Sequence, residues 1–239
     1  MTLIYGHRGA KGEAPENTLV GFQQCLAHGV RRCELDLHLS RDGELMVIHD
    51  PTLKRTTGRR GKVVEHDADE LIHYDARHGG PGWKQPCPVP TLSELFEKCD
   101  FEHWQLEVKS ASRVRAARTV QAIRTMAERY KLLDRITVTS SSREVLRALK
   151  RLTPELARGL VAEYAWLDPL KVARQYDCHL LALKWTLCTP ERIVKAQAQG
   201  LHVSVWTVNE PALMRRLADF GADSLITDFP GLALETLGK

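Results

Sequence analysis

Glu34-Leu35-Asp36-Leu37-His38-Leu39-Ser40-Arg41-Asp42-Gly43-Glu44-Leu45-Met46-Val47-Ile48-His49-Asp50 alternates like a strand, turns, and resumes as a second apolar run. Asp-Gly between alternating runs signals a hairpin, because a type I′ turn needs positive φ at both central positions. With Asp42 and Gly43 as the loop, the register pairs Arg41 with Glu44, Leu39 with Met46, Leu37 with Ile48 and Asp36 with His49. Residues two apart on a strand share a face, and so do directly paired residues. Glu34, Asp36 and His49 are therefore expected to form one cluster. Two carboxylates beside an imidazole suit an oxygen-liganded divalent metal with a proton carrier alongside. Read alone, the same letters also fit a solvated hairpin with its charges outward. His38 is read as facing away from Asp36 and is left out of the cluster.

Working outward, the punctuation repeats. Leu3–His7 is a short apolar run, and Asn17 or Thr18 can cap a helix near 18–28 that Gly29 closes before strand 33–39. Helices near 190–199 and 210–219 end at Gly200 and Gly221, each before a strand. Thr91-Leu92-Ser93-Glu94 is a capping box for a helix to about 99. Val114, Ala117, Val120, Ile123, Met126 and Tyr130 mark one face of a long helix. Its arginines 113, 115, 118, 124 and 129 read as a solvated face, since no aromatics interleave them. Further helices are expected at 142–151, at 168–176 from Asp168-Pro169, and after Thr189-Pro190.

Strands near 3–7, 33–39, 104–109, 136–140, 159–163, 180–185, 202–207 and 224–227 alternate with these helices, and 45–49 is an extra arm. Eight such units in a chain of 239 residues, close to the ~250 typical of the fold, predict an α/β fold, a (β/α)8 TIM barrel, ahead of an open doubly wound sheet. Residues 51–90 break the rhythm with Gly, Pro and charge. They read as an insertion over one mouth of a single domain spanning 1–239, not as a second domain.

Composition narrows the class. The chain has 239 residues, 43% hydrophobic and 27% charged, with a formal net charge of +4. That excess is too small to argue for nucleic acid, and it does not oppose an anionic small molecule. No run approaches membrane-spanning length and no signal peptide is evident, so a cytoplasmic protein is expected. The six cysteines form no CxxC pair and read as reduced. The sequence is silent on oligomeric state.

In a barrel, chemistry sits where strands end. Those ends carry His7-Arg8, then Glu34 and Asp36 with His49 alongside, then Glu107 and Lys109, then Trp206 to Asn209, and finally Thr227-Asp228. Glu34, Asp36 and Glu107 are hard oxygen ligands for Mg²⁺ or Ca²⁺, and no Cys/His set has zinc spacing. Arg8 can clamp a phosphate bidentately and Lys109 adds a point charge. His7 and His49 can flank phosphorus as base and acid. Together these describe phosphodiester cleavage with a metal stabilising the equatorial oxygens. Nucleotide loops and a nucleophile elbow are absent. Glu16 and Asn17 read as loop and capping residues, and Asp50 as a turn residue before Pro51.

His7-Arg8-Gly9, Pro15-Glu16-Asn17-Thr18, Glu34-x-Asp36, Asp42-Gly43 running into His49-Asp50-Pro51, Glu107-x-Lys109, Trp206-Thr207-Val208-Asn209 and Gly221-Ala222-Asp223 to Thr227-Asp228-Phe229-Pro230 occur in order over nearly the whole chain. In this the sequence resembles the glycerophosphodiester phosphodiesterase family. The resemblance implies a TIM barrel with an insertion after the His-Asp motif. It also implies metal-dependent hydrolysis of glycerophosphodiesters, a small-molecule substrate class, to sn-glycerol 3-phosphate and an alcohol. By position, Glu34, Asp36 and Glu107 match the family's metal ligands and His7 and His49 its acid/base pair. Arg8 and Lys109 match its phosphate contacts, and Trp206 an aromatic wall near the glycerol. Lysophospholipase D-like or sphingomyelinase D-like activity on the same barrel, and a non-catalytic phosphate-binding module, are the competing readings.

Overall fold

In the computed structural model, which describes residues 2–110, 112–164 and 166–238, nine strands form one sheet. They are β1 (Leu3–His7), β2 (Arg32–Leu39), β3 (Leu45–Val47), β4 (His103–Val108), β5 (Ile136–Ser140), β6 (Ala157–Ala162), β7 (Leu180–Lys184), β8 (His202–Trp206) and β9 (Ser224–Thr227). Hydrogen bonding runs β1-β9-β8-β7-β6-β5-β4-β2, and β1 also pairs with β2, so eight parallel strands close on themselves. β3 lies antiparallel on the outer end of β2. This is the expected (β/α)8 barrel, and each of its eight strands falls where the sequence places it.

Alternation along the strands sorts the chemistry. In β2 and β4, Leu35, Leu37 and Leu106 are wholly buried in the shared hydrophobic core. Their neighbours Glu34, Gln105 and Glu107 line an interior pocket instead. Gln105 Nε2 donates across the barrel to Ser204 Oγ at 3.3 Å. Truncating a buried leucine such as Leu35 to alanine removes about 2–5 kcal/mol of stability. Thr18, Thr91, Asp168 and Thr189 cap helices through their side chains, as the sequence anticipates. Gly9 has φ +83, and a Cβ there would stand 2.5 Å from the Gly21 carbonyl carbon. Only glycine lets the helix Leu19–Ala27 sit this close to the end of β1.

Three details differ from expectation. The long helix Arg113–Arg129 buries Ala116, Val120, Ile123 and Ala127, while Val114 is 69% exposed. The closing helix Pro230–Thr236 was not anticipated, because it is short and its start has no side-chain cap. The hairpin register is also shifted by one. Leu37 pairs with Val47, His38 with Met46 and Leu39 with Leu45. Arg41, Asp42 and Gly43 make a three-residue loop in which only Gly43 (φ +92) has positive φ, so the turn is not type I′. Ser40 causes this: its Oγ accepts from Glu44 N at 2.8 Å and donates to Asp42 Oδ1, holding one more residue in the turn. Hydrophobicity could not choose the register, because β3 is buried on both faces. Leu45 and Val47 join the main core, while Met46 and Ile48 join a small core with Leu53, Val63, Leu71 and Val89 from residues 51–90.

Candidate active site

β1, β2 and β4 run in register, so their last polar residues stand level. His7 is opposite Glu34, and Asp36 is opposite Glu107. Glu34, Asp36 and Glu107 bring carboxylate oxygens within 4.8 Å of one another. Arg8 Nε is 2.9 Å from Asp36 Oδ2, and Lys109 Nζ is 2.7 Å from Glu107 Oε1 and 3.3 Å from Asp36 Oδ1. Burial, reinforced by the charges of Asp36 and Glu107, pushes the Glu34 carboxyl well above its usual range. Burial raises Glu107 too, against the pull of Lys109. For Asp36, burial is outweighed by Arg8 and then Lys109, which hold it ionised. Asp36 Oδ1 is buried without a hydrogen-bond donor.

Each flanking histidine is fixed through Nδ1. His7 Nδ1 and Asp228 Oδ1 are 2.6 Å apart, and Asp228 also accepts from Asn209 Nδ2 at 2.8 Å. His7 Nε2 points to Glu34, 3.9 Å from Oε2. His49 Nδ1 is 2.6 Å from Asp50 Oδ1. Asp228 and Asp50 are both lowered to about 2; burial opposes this, but hydrogen bonds from His7 and Asn209, and from Arg55 and His49, prevail. Ionised acceptors place the ring proton on Nδ1 and leave Nε2 as the basic atom. Burial lowers both histidines below the ordinary imidazole value, keeping them neutral at pH 7.

His49 reaches Asp36's cluster by a different route from the one expected. The ladder ends with Ile48 N donating to Asp36 O at 3.1 Å. The chain then bends at His49-Asp50, and the His49 side chain lines the same pocket as His7, Glu34 and Lys109. His38 supports that bend: its Nε2 is 2.9 Å from the His49 carbonyl oxygen. Contrary to the expected opposite placement, His38 shares a face with Asp36, as residues two apart on a strand do.

Other residues carry more than their first reading. Asn17 Nδ2 donates to Asp36 Oδ2 at 3.0 Å. Glu16 Oε1 holds Arg8 NH1 at 2.9 Å and both its oxygens meet Arg55 at 2.8 Å. Arg55 also bonds both oxygens of Asp50, at 2.7 and 3.1 Å. A continuous chain therefore runs Asp36, Arg8, Glu16, Arg55, Asp50, His49. Arg8 and Asn17 both adopt left-handed φ, +52 and +54. Such strain in non-glycine residues concentrates at functional sites. It was the one local signal no sequence reading can supply. Arg8 pairs with Glu16 through NH1 and lies 2.9 Å from Asp36 through Nε, which makes no hydrogen bond, and among the described residues its NH2 is unpaired. Trp206 donates Nε1 to the Ala182 carbonyl at 3.1 Å and lines the pocket with Val161, Ala182 and Ile226. That pocket measures about 220 Å³.

The model of the glycerophosphoryl diester phosphodiesterase family matches residues 7–232. A glycerophosphodiester phosphodiesterase of Caldanaerobacter subterraneus subsp. tengcongensis is 29% identical over 100% of this chain and 98% of its own. A probable glycerophosphodiester phosphodiesterase 2 of Mycobacterium tuberculosis is 32% identical over 98% of this chain and 90% of its own. Among solved structures, an Oleispira antarctica phosphodiesterase in complex with the product sn-glycerol-3-phosphate has a TM-score of 0.90 at 27% identity, covering 100% of this chain and 98% of that one. The match covers nearly the whole chain, and the chain belongs to the glycerophosphoryl diester phosphodiesterase family.

Proposed function

We propose that the chain, as one barrel unit with 51–90 as its insertion, hydrolyses glycerophosphodiesters to sn-glycerol 3-phosphate and an alcohol with a divalent cation and a histidine pair. One observation carries this: three carboxylates, two of them buried and one half-buried, meet between two imidazoles, each anchored at 2.6 Å by its own aspartate. The product complex of the Oleispira antarctica relative supports the substrate class. We further place the protein in the cytoplasm, on its six unpaired cysteines.

The donor set fits a hard cation such as Mg²⁺ or Ca²⁺. All three ligands are carboxylates, one buried oxygen of Asp36 makes no hydrogen bond, and Glu34 and Glu107 are pushed toward protonation by burial and by the neighbouring charge of Asp36. Glu34, Asp36 and Glu107 would hold it, and when bound it supplies positive charge to the phosphoryl oxygens. Lys109 and the free NH2 of Arg8 bind the same oxygens. The small closed pocket with Trp206, Val161 and Ile226 takes the glycerol. His7 lies only in this pocket, whereas His49 also lines the wider groove beside it. His7 therefore accepts a proton from the attacking glycerol hydroxyl as the P–O bond to the alcohol breaks, and the imidazolium form of His49 gives its Nε2 proton to the departing oxygen. Water, activated by the now neutral His49 while His7 returns its proton to the glycerol oxygen, then opens the resulting cyclic phosphate to sn-glycerol 3-phosphate. Asp228 and Asp50 hold the rings so that Nε2 faces the phosphorus.

The test is release of sn-glycerol 3-phosphate from glycerophosphocholine, with and without EDTA. Turnover should stop with chelator and return with added Mg²⁺ or Ca²⁺. Chelator-resistant turnover removes the metal role, and full activity in His49→Ala removes the histidine pair.

A further inference from the structure

A second, larger cavity opens from the catalytic pocket. It measures about 850 Å³ and shares His49, Lys109 and Ser141 with that pocket. Pro51 and Val64, with the edge of Leu39, give it an apolar floor, and Lys62, Arg115 and Arg143 stand around it. Arg115 belongs to the helix face that the sequence reading assigned to solvent. Among the described residues, Arg115 and Arg143 form no ion pair. The one carboxylate in the lining, Glu144, gives Oε1 to Arg147, and its Oε2 is buried without a partner. Lys62 has only a loose partner, Glu65 at 3.5 Å.

Resting on the hydrolysis proposed above, we infer that this groove binds the departing alcohol and selects alcohols that themselves carry an anionic group, a phosphate or carboxylate. The groove begins at His49, the residue set to protonate the alcohol oxygen, so the alcohol has to lie along it. Its cations outnumber its available carboxylates. A cationic alcohol such as choline is recognised by aromatic faces or free carboxylates. The described lining has no Phe, Tyr or Trp, and its one carboxylate gives one oxygen to Arg147 and keeps the other buried away from the groove surface. An anionic terminus instead meets guanidinium and ammonium donors that make charge-assisted bonds. The apolar floor covers the carbon skeleton between the two ends.

The matched pair glycerophosphoinositol and glycerophosphoinositol 4-phosphate isolates the extra charge. Wild type should show kcat/KM roughly tenfold higher for the phosphorylated substrate, about the value of one charge-assisted hydrogen bond. The preference should weaken with added salt. The double variant Arg115→Gln/Arg143→Gln should bring the ratio near one, and Arg115→Glu/Arg143→Glu should invert it. Arg129→Gln, at the far end of the same helix, should keep the wild-type ratio. A wild-type ratio at or below one overturns the proposal, as does a ratio that survives both double variants. Failure to release sn-glycerol 3-phosphate from either substrate would instead strike the underlying hydrolysis.

Discussion

His7 and His49 end in the same local bond, Nδ1 to an aspartate at 2.6 Å, but they rest on different foundations. His7 closes β1, pairs in register with Glu34, and is held by Asp228, which Asn209 holds in turn. Its seat is the barrel itself. His49 lies beyond the last ladder bond of the hairpin, on a bend. Its aspartate is its own neighbour, and Arg55 from the segment after the hairpin steadies that aspartate. The difference teaches that one half of this site is made by strand register and the other by a chain of side-chain bonds.

The largest effects should be the same for both halves. His7→Ala and His49→Ala should each lower kcat by about 10²–10⁴-fold, the usual contribution of general acid–base catalysis. Single-turnover rates with saturating metal measure this. A large loss in one and a small loss in the other would break the pairing and leave a single proton carrier.

The aspartates should separate the two halves. Asp228→Asn should lower kcat by roughly 10–100-fold, the range for losing a residue that orients a functional imidazole. Asp50→Asn should lose less, because His38 still holds the His49 backbone. Equal losses would show that His49 has no support beyond its aspartate.

Arg55 sharpens the contrast further. It joins Glu16, which holds Arg8, to Asp50, which holds His49. Arg55→Ala should reduce kcat/KM by about tenfold, as expected for charge-assisted bonds in a connected network. Arg55→Lys should recover only part, since an ammonium cannot grip two carboxylates with one planar fork. The pH profile carries the sign. Without Arg55, the Asp50 charge is less neutralised and favours the imidazolium of His49. The ionisation belonging to His49 should therefore move to higher pH, while that of His7 stays in place. A profile in which neither moves, or both do, removes Arg55 from the His49 half.

Much of the barrel half was legible because its signals are local and periodic. Helix, glycine, strand recurs at Gly29, Gly200 and Gly221, and all three have positive φ. Once eight strands are counted, His7, Glu34, Asp36, Glu107 and Trp206 must share one end. The arm half was harder for physical reasons. β3 contributes Leu45 and Val47 to one core and Met46 and Ile48 to another, so apolar alternation carries no register information. Glu16 and Asp50 meet only through Arg55, 39 and 5 residues away respectively. Asn17 reaches Asp36 only because its backbone is left-handed, which a reading of caps and loops does not foresee. His38 is legible from strand parity alone, since it stands two residues from Asp36 on the same strand.

The smallest effect tests the hairpin directly. Gly43 has φ +92 and nothing within 4 Å of where a Cβ would be. Gly43→Ala therefore adds no clash, and its effect is conformational strain alone, about 1 kcal/mol. For a chain of this size that is a fall of roughly 2–4 °C in Tm. Activity should stay within about twofold of wild type by the usual limit for surface changes away from a site. The reason lies in how His49 is placed. Ser40 and Asp42 fix the turn through their own bonds, and the bend after Ile48, with His38 on the His49 carbonyl, sets the imidazole. If register were what delivered His49, a strained turn would disturb it and kcat would fall with Tm. A loss of Tm without loss of kcat places the control of His49 after the ladder ends, in the bonds that join the arm to the barrel.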